Sequence, residues 1–308
     1  MCRALLYLGE PVLLDHLLYQ PDSALVKQST MPRMLHLLNL AGFGLRAWDR
    51  ASHARDVPFA YASDAIAVFD RNLKSLAEKV VASCLLAHVR GVPYHSKVEI
   101  SVQNAHPFQF PGVPLALAHN GDLWRFAEMK PLLVARIRPE LFMRIRGTTD
   151  SEWIYALLLS QLPDPGARPA AGELLEAIAR TLAILREVRA ALGIAIASPV
   201  NLFIADGHQI AAVRYCFDFG CYPTEDDPEI SLAPFLGYYT LWYTLGREYG
   251  LHGADWKMVG GAHNAASLIV ASEPLSQDTG AWVEMPEYSA LHAALEGGRP
   301  RIELRALD

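Results

Sequence analysis

Runs of consecutive apolar residues, each ended by polar residues or a turn, predict buried strands along the first half of the chain. The first run covers residues 3–8 and ends at Gly9-Glu10-Pro11. Residues 84–89 and 114–119 follow the same pattern, and polar side chains end each run. Residues 42–48 instead alternate apolar with small or polar residues, which is typical of a half-exposed strand.

Four further segments carry apolar residues at the spacing of a helix face. Asn72 is placed to cap the second of these helices, and either Asp150 or Ser151 to cap the third. The fourth follows the Pro- and Gly-rich residues 163–169, the clearest linker in the chain. The predicted helices are one that starts near Leu13 and three that cover residues 73–83, 150–162 and 173–192.

The last third of the chain again predicts strands. Residues 201–205 and 209–216 have the pattern of a hairpin that turns at Asp206-Gly207, and residues 267–271 and 282–285 predict late strands. This order, without strict βαβ alternation, favours an α+β fold with helices layered on antiparallel sheets. Neither G-x-G-x-x-G nor a P-loop occurs, so we expect no nucleotide cofactor.

Composition and charge exclude several classes of protein. With 52% hydrophobic and 19% charged residues, the 308-residue chain can bury a sizeable core, which rules out intrinsic disorder. A net charge of −6 without a basic run argues against a nucleic-acid partner. No apolar stretch reaches the roughly 18 residues of a membrane span. Charged residues and Pro11 interrupt the start of the chain, which is not the pattern of a signal peptide. We therefore expect a cytoplasmic protein without a membrane partner.

One of the four cysteines stands apart because removal of Met1 would place it at the amino terminus. A free α-amine has a pKa of about 7.7–8.0 and a thiol about 8.5, so the amine can accept the thiol proton near neutral pH. Cys2 alone could then supply both a nucleophile and its base. The chain has no C-x-x-C pair, and Cys84 lies in an apolar run as a small buried residue would.

Short segments that follow one another from the start of the chain to residue 285 carry a more specific signal. In order they are Met1-Cys2-Arg3-Ala4-Leu5-Leu6-Tyr7-Leu8-Gly9, Asn39-Leu40-Ala41-Gly42-Phe43-Gly44, Ala87-His88-Val89-Arg90, Asn104-Ala105-His106-Pro107-Phe108, Ala118-His119-Asn120-Gly121, Gly147-Thr148-Thr149-Asp150-Ser151-Glu152 and Ala271-Ser272-Glu273-Pro274-Leu275. Together they resemble the motifs of class II glutamine amidotransferases, the branch of the N-terminal-nucleophile hydrolases that uses cysteine. Each segment is weak evidence alone, but their common order is specific. The resemblance implies a four-layer αββα sandwich with the nucleophile at the start of a strand.

The resemblance also implies three catalytic residues. Cys2 would attack the γ-carbonyl of glutamine, while the Asn120 side-chain amide and the Gly121 backbone N–H would hold the oxyanion. An Asn-Gly pair after a buried strand can point both donors at one oxygen, because glycine allows a close approach of the backbone. Outside this context the same pair is simply a turn.

Four more residues are expected to bind the substrate. Arg90 would take the α-carboxylate, which its planar guanidinium can bind through two hydrogen bonds, or else form a buried structural ion pair. Asp150 would accept the α-ammonium, cap a helix, or do both. The resemblance adds His119, and His106 would shape the loop over the substrate.

Two features bear on the chemistry beside these residues. His88, His106 and His119 have no short metal-ligand spacing, so we expect core histidines, no metal and no organic cofactor. Ala41 stands where the family has Asp, and Arg46 where a small residue is common. This departure leaves open how the loop beside Cys2 is supported.

We expect residues 1–285 to form a type 2 glutamine amidotransferase domain, with residues 286–308 as a C-terminal tail packed on it. Such a tail is too short for a second active site. The chain would then hydrolyse the γ-amide of glutamine or of a γ-glutamyl compound through a γ-glutamyl thioester, as the stand-alone members that resemble it do in glutathione or ergothioneine metabolism. The alternative is an ammonia-donating or catalytically silent subunit of a separate synthase or amidase partner.

Overall fold

The computed structural model describes residues 2–34, 38–92, 98–222 and 240–307 and arranges them in four layers. The strands in chain order are β1 (Arg3–Leu13), β2 (Phe43–Trp48), β3 (Phe59–Ser63), β4 (Val81–Val89), β5 (Ala116–Gly121), β6 (Ser198–Ala205), β7 (Gln209–Arg214), β8 (Cys216–Phe217), β9 (Trp242–Gly246), β10 (Glu248–His252), β11 (Asp255–Val259), β12 (Ser267–Ala271), β13 (Val283–Glu284), β14 (Ser289–Glu296) and β15 (Arg299–Ala306). The α-helices are α1 (Asp15–Leu18), α2 (Arg71–Ala77), α3 (Phe126–Val134), α4 (Pro139–Phe142), α5 (Asp150–Ser160) and α6 (Ala171–Ala191).

Two antiparallel sheets form the inner layers. The seven-stranded sheet has the order β13-β9-β12-β1-β4-β2-β3, and the six-stranded sheet has the order β15-β14-β7-β6-β5. β8 is the sixth strand of the smaller sheet and pairs with β6, while β10 and β11 form a separate hairpin. β1 lies in the interior of the larger sheet, hydrogen-bonded to β12 on one side and to β4 on the other.

Side chains of β1 are buried on both faces, which explains why its sequence is a continuous apolar run. Ala4, Leu6 and Leu8 pack between the two sheets. Leu5 and Tyr7 pack on the opposite face, against α1, α2 and the β10–β11 hairpin.

The outer face of the six-stranded sheet packs against α3, α4, α5 and α6. Leu202 and Val213 come from this sheet, and Leu158, Ile178 and Met129 from the helices. With helices on both outer faces, the α+β class and the four-layer αββα sandwich are confirmed. No helix among the described residues is long and apolar enough to cross a membrane.

Several element boundaries differ from the sequence-based predictions. The predicted helix over residues 73–83 is α2, which begins at Arg71 and ends at Ala77, and Asp70 caps it instead of Asn72. Residues 81–83 belong to β4, because Val81 pairs with Leu13 of β1. The apolar spacing continues past the helix end, so it could not mark the change of conformation.

Residues 163–169 join α5 to α6, and both helices pack on the same sheet. The last two strands also belong to the six-stranded sheet, because β14 pairs with β7 and β15 pairs with β14. The sequence pattern missed α3, α4, β3, β9, β10, β11, β14 and β15. The predicted late strand over residues 282–285 is β13, which covers two residues.

Candidate active site

Cys2 lies immediately before β1 and is 8% exposed. Its Sγ lies 3.4 Å from the Gly91 backbone nitrogen, which donates to it, and 3.6 Å from the Gly91 carbonyl oxygen. Because Arg3 pairs with Val89, the start of β1 meets the end of β4. The thiol therefore lies beside the segment that carries Arg90.

Backbone hydrogen bonds support the loop that contains Ala41. Ala41 N donates to the Arg90 carbonyl over 2.9 Å, and Arg90 N donates to the Gly42 carbonyl over 2.8 Å. Asn39 adds a side-chain bond of 3.1 Å to the Gln28 carbonyl. The loop beside Cys2 is thus anchored although residue 41 carries no carboxylate.

The alternation of β5 sends its last residues in opposite directions. Asn120 shares the inward face of Ala118 and points between the sheets, where its Oδ1 lies 3.1 Å from His88 Nε2. Its Nδ2 donates to Ser272 Oγ over 2.7 Å. In this arrangement Nδ2 is the donor end of the amide, and none of the described residues accepts its second N–H.

Gly121 is the only residue type that fits at its position. A Cβ there would lie 1.8 Å from the Pro199 carbonyl oxygen and 2.4 Å from His119 Nε2. Both distances are far below any real carbon contact, and a backbone carbonyl cannot rotate away as a flexible side chain could. The absence of a side chain lets β5 and β6 approach closely beside the Gly121 N–H.

Arg90 is buried, and its guanidinium donates to the Glu99 carbonyl over 3.0 Å. Burial lowers the pKa of Arg90, while the charges of Cys2, Asp150 and Glu99 act in the opposite direction. No carboxylate in the described part of the chain forms an ion pair with it, so the predicted structural ion pair is absent there. In the described part of the chain, the Glu99 carbonyl is the one acceptor for this guanidinium, which has five N–H donors.

Asp150 does not cap α5. Thr149 Oγ1 accepts from Glu152 N over 3.4 Å and is the cap, so Asp150 is the first helical residue. The Asp150 carboxylate accepts from Leu123 N at 2.8 Å and from Ser151 Oγ at 3.2 Å.

His119 packs toward α5, on the opposite side of β5 from Asn120. Its Nδ1 lies 2.9 Å from Ser151 Oγ, and its Nε2 lies 3.4 Å from the Pro199 carbonyl oxygen. Burial lowers the pKa of His119, while the Asp150 charge acts in the opposite direction. His119 thus holds the Asn-Gly turn against α5.

His88 and His106 form a buried pair. His106 Nδ1 lies 3.0 Å from His88 Nε2, the atom that also contacts Asn120. Burial lowers the pKa of His88 to about 3 and that of His106 well below its usual value, so both rings are neutral at pH 7. Within the described residues His88 Nδ1 and His106 Nε2 have no hydrogen-bond partner, and no group of His, Cys, Asp and Glu could hold a metal.

Two polar residues that the sequence analysis did not single out join separate motifs. The Asn104 amide donates to Thr148 Oγ1 over 3.0 Å and accepts from Thr148 N over 2.8 Å. Glu152 accepts from Gly147 N over 2.7 Å. These bonds hold the loop before Asp150. The only sequence signal for Asn104 and Glu152 is that both lie inside the motifs.

Asp122, directly after the Asn-Gly turn, was also missed. The residue is exposed to solvent, so only partial desolvation, with a smaller contribution from the Asp150 charge, raises the pKa of its carboxyl. Two carboxyl groups therefore lie beside the turn.

Contacts and charge interactions connect the residues predicted for the site. Cys2 and Arg90 meet at the start of β1, and Arg90 interacts electrostatically with Asp150. Ser151 joins Asp150 to His119, while Asn120 reaches His106 through His88. These links join a thiol, a guanidinium and a carboxylate on one side, and a side-chain amide and two histidines on the other.

Comparison with known proteins gives the family. A model of the class II glutamine amidotransferases matches residues 57–218, and the chain belongs to this family of enzymes. It is 29% identical to the probable glutamine amidotransferase DUG3 of Saccharomyces cerevisiae over 308 residues, covering 94% of this chain and 81% of that protein.

Solved structures share the fold. A glutamine aminotransferase class-II domain protein from Silicibacter pomeroyi aligns over the whole of both chains with a TM-score of 0.60 and 21% identity. The glutamine phosphoribosylpyrophosphate amidotransferase of B. subtilis, complexed with ADP and GMP, aligns over 98% of this chain with a TM-score of 0.55 and 16% identity. The chain spans 49% of that longer protein.

Proposed function

We propose that the chain, after removal of Met1, hydrolyses the γ-amide of a γ-glutamyl compound with Cys2 as its nucleophile. The α-amine of Cys2 takes the thiol proton, and the thiolate attacks the γ-carbonyl carbon. The oxyanion accepts hydrogen bonds from Asn120 Nδ2 and Gly121 N. The α-ammonium then gives its proton to the leaving nitrogen as the C–N bond breaks.

The second half of the reaction consumes water. The α-amine accepts a proton from water, whose oxygen attacks the γ-glutamyl thioester. Collapse of this intermediate breaks the C–S bond, releases glutamate and returns the proton to the thiolate. Arg90 holds the α-carboxylate and Asp150 the α-ammonium through both steps, with His119 and His106 supporting the surrounding loops.

The observation that carries this proposal is the placement of the buried Asn120 amide between two hydrogen-bonding side chains. Its oxygen is held by His88 at 3.1 Å and its nitrogen by Ser272 at 2.7 Å. A buried amide whose donor end is set in this way is preorganised for developing negative charge. A silent subunit would be the more plausible interpretation if the loss of the family Asp at Ala41 left the loop beside Cys2 unsupported, but Arg90 and Asn39 anchor this loop.

The leaving group distinguishes the two substrate classes. Arg90 and Asp150 would grip the glutamyl end, which glutamine and γ-glutamyl peptides share. We favour a γ-glutamyl peptide or thiol conjugate, because a hydrolase that acts alone needs no device to retain ammonia. An apolar contact to the leaving amine would supply about 1–3 kcal/mol, or about 10–200-fold preference.

The remaining parts of the proposal concern the context of the reaction. Residues 1–285 would form the catalytic domain, residues 286–308 would pack on it, and the protein would act in the cytoplasm without a cofactor. A separate synthase or amidase partner is the alternative. It predicts that glutamine is preferred and that ammonia passes to the partner.

The test compares the steady-state hydrolysis of glutamine with that of a γ-glutamyl dipeptide, measured as released glutamate. Protein that intact-mass analysis shows to lack Met1 should hydrolyse these substrates, with the higher kcat/KM for the dipeptide. Cys2→Ala should abolish turnover, whereas Cys221→Ala, which removes an exposed thiol, should leave it unchanged.

Two results would count against the proposal. Full activity from a chain that retains Met1 would refute the role of the α-amine as base. Equal or better turnover of glutamine by the isolated chain would refute the preference for peptides and favour ammonia transfer.

A further inference from the structure

The Ser-Glu-Pro-Leu segment after β12 has no step in the proposed reaction, although it is deeply buried. Ser272 is 3% exposed and Glu273 is 1% exposed. Buried polar side chains are hydrogen-bonded because an unpaired one is costly. The partners of these two side chains therefore indicate what the segment does.

The Ser272 hydroxyl connects the two sheets. Its Oγ accepts from Ala4 N over 2.9 Å and from Asn120 Nδ2 over 2.7 Å, and it donates to the Ala4 carbonyl over 3.4 Å. One proton and two lone pairs are thereby all used. Ala4 lies two residues after Cys2 in the seven-stranded sheet, and Asn120 lies at the end of β5 in the six-stranded sheet.

Glu273 fixes the position of its neighbour. Its carboxylate accepts from the backbone nitrogens of Arg33 and Met34, each over 3.1 Å, and lies 3.6 Å from Arg3 Nε. The main chain of Ser272 is itself bonded to the Ala4 carbonyl over 3.0 Å. The hydroxyl therefore has little freedom to move.

We propose that Ser272 is a positioning residue that sets the separation between the Cys2 thiol and the Asn120 amide. The Cys2 thiol and the Asn120 amide come from different sheets. The Ser272 hydroxyl contacts both the strand β1, which follows Cys2, and the Asn120 side chain. Loss of this hydroxyl frees the donor end of Asn120 to turn or to retreat. This inference rests on the proposed function, since it assigns Asn120 to the oxyanion.

The test compares Ser272→Ala with Ser267→Ala. Ser267 is a matched control, because its buried hydroxyl lies 2.9 Å from the Tyr7 hydroxyl at the other end of the same strand pair. Ser272→Ala should lower kcat about 10–100-fold and change KM less than about threefold, as expected for a displaced donor. The rate at which iodoacetamide alkylates Cys2 should stay within about twofold in both variants.

A double-mutant cycle separates this role from simple support of the fold. In an Asn120→Ala background, Ser272→Ala should lower kcat no further, because Ser272 acts through Asn120. A full additional loss in that background would overturn the proposal. So would parallel losses of alkylation and turnover in Ser272→Ala, which would mean that the hydroxyl merely holds β1.

A readout without turnover separates this proposal from the proposed function. The side-chain amide resonance of Asn120, identified by its absence in Asn120→Ala, should shift in Ser272→Ala and stay unchanged in Ser267→Ala. An unchanged resonance in Ser272→Ala would refute the positioning role. A shifted resonance in a protein that hydrolyses no γ-glutamyl compound would refute the function instead.

Discussion

Replacement of Gly121 by alanine tests both the packing and the chemistry of the Asn-Gly turn. The added Cβ would lie 1.8 Å from the Pro199 carbonyl oxygen, where an ordinary carbon–oxygen contact is about 3.4 Å. Roughly 1.5 Å of separation must come from the backbone of β5, of β6 or of both. Gly121 does not have a positive φ, so the effect arises from space and not from backbone strain.

The size of the effect follows from that displacement. Overpacking of this kind lowers the free energy of unfolding by about 1–3 kcal/mol. A donor moved by about 1 Å or more loses most of its value for the oxyanion, so kcat should fall about 10²–10³-fold. KM should change less than kcat, because Arg90 follows β4, which belongs to the other sheet.

Urea unfolding and steady-state kinetics on Gly121→Ala measure the two effects separately. Gly172→Ala is the control, because nothing lies within 4 Å of a Cβ added there in α6. It should keep kcat and gain about 0.5–1 kcal/mol of stability from the better helix former. A folded Gly121→Ala variant with unchanged kcat would refute the assignment of its N–H to the oxyanion.

Three further predictions concern the residues around the turn. Asn120→Ala should lower kcat about 10²–10³-fold with little change in KM, and a raised KM at unchanged kcat would move Asn120 to a binding role. Arg90→Lys keeps the charge but loses the planar pair of donors, so KM should rise about 10-fold or more at similar kcat; an unchanged KM would contradict the grip on the carboxylate. The pKa of His88, about 3 in the folded chain against 6.5 ordinarily, means that protons bind the unfolded chain more strongly below pH 6.5. Its contribution to stability should therefore fall by about 2–3 kcal/mol between pH 7 and pH 4.5. Urea unfolding at both values should show a smaller loss for His88→Gln, and an identical loss would contradict the neutral buried state.

Sequence patterns predicted the strands of the core and the strand ends at which the candidate site residues lie. Residues 84–89 were predicted as a strand because burial on both faces makes most of β4 apolar. Residues 114–119 were predicted as a strand because polar residues follow a run of apolar ones, and β5 covers Ala116–Gly121. The motifs placed Cys2 and Asn120 in the site, although no local pattern says which sheet each belongs to.

The remainder depends on contacts that no local pattern contains. Pro131 lies inside α3 and hides its helical pattern, and the end of α2 is set by the pairing of Val81 with Leu13. Ser272 reaches Ala4 across 268 positions of sequence and Asn120 across 152. Thr148 and Ser151 look like ordinary polar residues until the fold brings Asn104 and His119 to them.

The interior place of β1 has a consequence for the order of events on the ribosome. β12 begins at residue 267, which is 264 positions after β1 begins at residue 3. At a synthesis rate of about 5–20 residues per second, about 13–53 s pass between the synthesis of the start of β1 and that of the start of β12. During this time β1 belongs to an incomplete nascent chain and lacks this partner. Once both neighbours have paired, Cys2 is 8% exposed. The proposed removal of Met1 is therefore expected during synthesis, before Cys2 is buried in the folded sheet.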